Sequence, residues 1–148
     1  METRVEFPSD GETLVGTLFR PEELEGPLPT VLAAGGWCYT KEIVLPHVAR
    51  IVNESGVQVL TFDYAGFGES TGKRRQHLDP WQQISDDENA LTYVEKRDDI
   101  DAERLGAFGI SYSGWPGIHP AGAISQSAPL PRQGAAGKRP TGGRTSTT

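Results

Sequence analysis

Two short runs of alternating apolar and polar residues open the chain, Thr3-Arg4-Val5-Glu6-Phe7 and Thr13-Leu14-Val15-Gly16-Thr17-Leu18-Phe19, split by Pro8-Ser9-Asp10-Gly11. Period-two alternation broken by turn residues predicts a β-hairpin. After a proline-rich connector over residues 21–29, a third strand is expected over 30–34, ending in Gly35-Gly36, a pair that marks close backbone approach. The pattern then becomes helical from Leu45-Pro46, where proline suits the first turn. Val48, Ile51 and Val52 are expected to face inward before Gly56 ends the helix. A fourth strand follows over 57–62, then a loop over 63–79 carrying Gly66, Gly68 and Gly72. Asp79-Pro80-Trp81-Gln82 reads as N-cap, first-turn proline and capping-box partner of a second helix, with Ile84, Leu91 and Val94 as its apolar stripe. Residues 98–103 read as a polar turn and Arg104–Phe108 as a fifth strand. Strands alternating with helices predict an α/β fold, a three-layer α/β/α arrangement with helices on both faces of a parallel sheet entered through the antiparallel hairpin.

From Trp115 the character changes. Pro116, Pro120, Pro129, Pro131 and Pro140 are mixed with Gly, Ser, Thr and four basic residues, and no Asp or Glu remains. A helix here would contain Pro120, at a cost of about 3 kcal/mol, with no apolar stripe to offset it. Residues 1–114 are therefore expected to form the folded unit, and 115–148 a disordered tail or one read in a shifted frame.

At 148 residues the chain suits one domain, with a formal net charge of −6. That balance argues against a general attraction to nucleic acid. No run of about 18 apolar residues and no basic-then-apolar amino terminus is present, so no membrane partner is expected and a cytoplasmic setting is the default. Cys38 is the single cysteine, and no Cys/His set has zinc-like spacing.

Gly109-Ile110-Ser111-Tyr112-Ser113, directly after the fifth apolar run, has the form of a nucleophile elbow, the strand-to-helix turn that lifts a catalytic serine above a sheet. The elbow strains its central residue, so the positions two before and two after must be small. Gly109 and Ser113 qualify, which makes Ser111 the candidate nucleophile. Centring the elbow on Ser113 would put Trp115 at a small position, and an indole cannot sit there.

Three ordered motifs carry a resemblance to a known family: Gly35-Gly36-Trp37-Cys38-Tyr39, Phe62-Asp63-Tyr64-Ala65-Gly66-Phe67-Gly68-Glu69-Ser70-Thr71-Gly72, and Phe108 to Gly114. Over residues 3–114 the chain resembles the amino-terminal half of the α/β-hydrolase fold. Gly35–Tyr39 and Gln76–Trp81 look most like dienelactone-hydrolase or Xaa-Pro-peptidase-like members. The resemblance implies a serine hydrolase acting on a small-molecule ester, thioester or amide without a cofactor. Ser111 would be the nucleophile, and the backbone N–H groups of Trp37 and Tyr112 the oxyanion donors.

The family's acid and histidine follow the nucleophile in sequence. Here the last carboxylate is Glu103, and the family's last three strands have no counterpart. His119, eight residues on, would lie about 12 Å along a helix from Ser111, too far for proton transfer. The domain is thus expected to be truncated, and the competing reading is a non-catalytic remnant or acyl-binding pseudoenzyme. The fifth strand is expected to present an edge prone to self-association. His47 is expected to pack or sit at a boundary, His77 to be structural or substrate-contacting, Asp63 to bond local backbone, and Cys38 to be a packed thiol. Lys73-Arg74-Arg75 reads as a solvated loop.

Overall fold

The computed structural model describes residues 1–114. The two alternating runs form β1 (Glu2–Ser9) and β2 (Glu12–Phe19), antiparallel in a register that pairs Glu2 with Phe19 and Ser9 with Glu12. The remaining strands are β3 (Leu28–Ala34), β4 (Gln58–Phe62) and β5 (Ile100–Gly109). The sheet order is β1-β2-β4-β3-β5, with β4 antiparallel to β2 and parallel to β3, and β5 parallel to β3. Among the described residues β5 is therefore the outermost strand on its side. The expected tail and His119 lie outside the described residues.

Alternation along the inner strands sends neighbouring residues to opposite faces. Leu32 and Leu60 join Phe7, Leu14, Phe62, Ala90 and Val94 in one core cluster, while Ala33 and Val59 join Phe19, Leu45 and Ala49 in another. The first cluster lies under α2 (Pro80–Glu95) and the second under α1 (Leu45–Asn53), giving the three-layer α/β/α arrangement. No helix among the described residues is long and apolar enough to cross a membrane.

Several details depart from the sequence expectation. On α1 the fully buried positions are Leu45 and Ala49; Val48 and Val52 are half-buried, and Ile51 is 53% exposed. A nine-residue helix lying on a sheet buries one narrow stripe, and Ala49 brings its backbone close. Asp79 caps α2 as expected, accepting from the N–H groups of Trp81 and Gln82 at 3.0 and 3.3 Å. The capping box does not close, because the Gln82 amide donates to Asp10 and Asp86 instead. The polar turn expected over 98–103 lies partly inside β5. Leu28 pairs with Ile100 but Thr30 pairs with Leu105, so residues 101–104 bulge out. Asp101 holds the bulge by accepting from the Glu103 N–H at 3.0 Å and from Arg104 at 2.6 Å. Pro29, which has no N–H to donate to the ladder, sits opposite it on β3.

Candidate active site

The strands β3, β4 and β5 all end at one edge of the sheet, and the three sequence motifs follow those ends. After β5 the chain turns at once into a 3-10 turn over Ser111–Gly114. Ser111 has φ +56°, a left-handed conformation that an L-residue adopts at a cost of about 1–2 kcal/mol. Its side chain is exposed, while Ser113 is fully buried. The Ser113 hydroxyl accepts from the Ile110 N–H at 3.1 Å and donates to the Ala34 carbonyl at 2.9 Å. Ile110 N–H also reaches Ala34 O, at 3.2 Å. The second small position of the elbow is thus a serine that ties the turn to the end of β3.

The loop after β3 lies against this turn. The Trp37 and Tyr112 rings meet edge to face, with centroids 5.2 Å apart and planes at 81°, so the two residues expected to supply oxyanion donors are brought together. Trp37 is 63% exposed. The Tyr112 hydroxyl is buried without a hydrogen-bond partner among the described residues, and burial, with the charges of Asp79 and Cys38 adding, raises its pKa. Cys38 is exposed rather than packed, and takes φ +57° at the tip of the loop.

Asp63, at the end of β4, is fully buried and bonds backbone as expected. It accepts from the Lys41 N–H at 2.7 Å and the Glu69 N–H at 3.0 Å, and its third donor is unforeseen: the Lys41 ammonium, at 3.1 Å. Lys41 is itself buried, and its ammonium also binds Glu42 at 2.6 Å and Glu69. Burial opposes the charge on Lys41, but the three carboxylates outweigh it and push the pKa above the usual lysine range. Glu42, Asp63 and Glu69 offer oxygens within 4.8 Å of one another, a spacing that suits a cation. The Lys41 ammonium binds all three carboxylates, so it already fills that role.

A second polar cluster lies beneath α2. Asp86 accepts from Ser9 Oγ at 2.6 Å, the Ala65 N–H at 2.9 Å and Gln82 at 3.0 Å, linking the hairpin, the loop after β4 and the helix. Asp87 is equally buried, with the Tyr64 hydroxyl at 3.2 Å. Burial pushes the Asp87 carboxyl well above the usual range against the pull of Tyr64, and the neighbouring charges of Asp86 and Glu88 push the same way. Burial also raises Asp86, against its three donors, and drives Tyr64 well up.

The other sequence candidates lie apart from this chemistry. His47 and His77 are exposed. Lys73 and Arg74 are exposed, while Arg75 pins the loop after β4 by donating to Ser70 O at 2.5 Å and Gly68 O at 2.6 Å. Among the described residues, no imidazole or carboxylate is hydrogen-bonded to the Ser111 hydroxyl.

A β1-β2-β4-β3-β5 sheet between two helical layers, with a serine in left-handed conformation directly after β5, defines an α/β-hydrolase. More narrowly, the chain belongs to the X-Pro dipeptidyl-peptidase (S15) family, whose sequence profile matches residues 10–123. It is 40% identical over 113 residues to the thiohydrolase aneE of Aspergillus aculeatus, covering 76% of this chain and 35% of that protein. To the polyketide transferase claH of Penicillium crustosum it is 32% identical over 111 residues, 74% of this chain and 36% of that one. The crystal structure of the α/β-hydrolase GrgF from Penicillium sp. sh18 superposes with a TM-score of 0.70 at 28% identity, covering 74% of this chain and 37% of that chain. The chain thus spans little more than a third of the length of these relatives.

Proposed function

We propose that the chain carries the nucleophile half of a serine hydrolase acting on a small-molecule ester or thioester. Ser111 Oγ attacks the acyl carbon and passes its proton to a base. The carbonyl oxygen becomes an oxyanion held by the N–H groups of Trp37 and Tyr112. Collapse expels the alcohol or thiol, and water then releases the acid from the acyl-serine. The observation that carries the reading is the φ of +56° at Ser111, flanked by Gly109 and the buried Ser113. The thiohydrolase and polyketide-transferase relatives support a thioester as the first substrate to try.

A second reading, an acyl-binding protein without turnover, is favoured by the lack of an imidazole or carboxylate bonded to Ser111 among the described residues. The two separate in one assay, with a short acyl thioester and an aryl ester offered to the wild type, Ser111→Ala and His77→Ala. Slow turnover lost in Ser111→Ala supports the hydrolase, and its further loss in His77→Ala would make that histidine the base. Turnover that survives Ser111→Ala refutes the assignment. Retained binding of the product acid without turnover selects the second reading.

A further inference from the structure

We infer that Lys41 is a positioning residue for the loop that presents the Trp37 N–H, gripping Asp63 through its backbone N–H and its ammonium at once. The inference rests on the reading of that N–H as an oxyanion donor. The loop leaves β3 at Ala34 and is tightly folded. A Cβ at Gly35 would lie 2.6 Å from the Tyr39 Cβ, the Tyr39 N–H donates to Gly36 O at 3.1 Å, and Cys38 is held at φ +57°. A non-glycine residue keeps that conformation only where its surroundings impose it. One end is imposed by β3 and the elbow, since Ala34 O receives both Ile110 N–H and the Ser113 hydroxyl. The other end is Lys41. Its backbone N–H and Nζ take the two oxygens of Asp63, and Asp63 is set by the end of β4 and by the Glu69 N–H.

The Lys41 side chain is 4% exposed and Asp63 fully buried, so their attraction is little screened by solvent. Glu42 and Glu69, both half in solvent, close the remaining sides of the ammonium. The grip therefore transmits the position of β4, a central strand, to a loop whose other supports are β3 and the elbow, through the Trp37–Tyr112 ring contact. Without it the Trp37 N–H would sample directions away from the oxyanion, and a donor displaced in this way is lost to the transition state before it is lost to substrate binding.

The test uses the full chain with Lys41→Met, which keeps the aliphatic stem, and Lys41→Arg, which keeps the charge. Hydrogen exchange by mass spectrometry is followed on peptides covering 35–41, 30–34 and 58–62, beside thermal unfolding and steady-state turnover. Lys41→Met is expected to speed exchange in 35–41 by at least about tenfold, the loss of one charged hydrogen bond being the smallest effect, while both strand peptides hold. Any turnover should lose kcat with KM unchanged, and Lys41→Arg should recover most of both signals. Unchanged exchange in 35–41, or equal acceleration in the strands, overturns the inference. If Lys41→Met does not fold, Asp63→Asn, which removes the charge that the ammonium grips, should raise exchange in 35–41 and not in the two strand peptides, and no change there overturns it equally. Ser111→Ala separates the two levels. It removes turnover but should leave loop exchange at the wild-type rate, so turnover that persists in it refutes the hydrolase reading while the exchange data still judge the grip.

Discussion

Replacing Gly68 with alanine tests how firmly the loop after β4 is seated. Gly68 has φ +48°, and a Cβ built on it overlaps the Asp63 carboxylate. The carboxylate cannot simply swing aside, because it is buried and holds the Lys41 N–H, the Lys41 ammonium and the Glu69 N–H. Nor can the backbone retreat freely, since Arg75 grips Gly68 O at 2.6 Å. Two costs add. The left-handed conformation costs alanine about 1–2 kcal/mol, and parting a buried carboxylate from its ammonium costs about 3–5 kcal/mol. The expected loss is about 4–7 kcal/mol, against a total of about 5–15 kcal/mol for a small domain. Gly11→Ala is the control. Gly11 has φ +85° with nothing within 4 Å of a built Cβ, so it should show the backbone cost alone, about 1–2 kcal/mol. Urea unfolding followed by tryptophan fluorescence gives both numbers. In an Asp63→Ala background the excess cost at Gly68 should vanish, because the group it displaces is gone. A Gly68→Ala loss no greater than that of Gly11→Ala would refute the reasoning.

Asp87 holds its proton in the fold at pH values where the unfolded chain, with an ordinary carboxyl near about 3.9, has lost it. Stability tied to this group is fully present below that pH and is lost as pH climbs toward the folded pKa. Asp87→Asn should therefore match the wild type near pH 3.5 and exceed it increasingly toward neutrality in urea titrations; a gap that narrows with rising pH would contradict this. Asp79→Ala removes the acceptor for two N–H groups of α2 and should cost about 1 kcal/mol by the same titration, whereas Asp79→Asn should cost a few tenths at most. A cost for Asp79→Ala as small as that for Asp79→Asn would mean that solvent caps the helix as well as the side chain does.

What the sequence determined by itself was local. Alternation marked the hairpin, Asp79-Pro80 marked the start of α2, and the spacing of Gly109, Ser111 and Ser113 marked the elbow; each needs only neighbours within a few residues, so each is legible in a single chain. The sequence also favoured apolar residues for the inner face of α2, and there only tertiary structure decided. Asp86 and Asp87 are buried on that face because Ser9, Tyr64 and the Ala65 N–H reach them from positions 21 to 77 residues away. Lys41 shows the same limit. In the sequence it is one charge beside Glu42, and it becomes a buried grip on the loop only because β3 and β4 lie side by side and deliver Asp63 beneath it, 22 residues along the chain. The cost of burying a charge is set by whatever partners the fold assembles around it, and no window of neighbouring residues contains them.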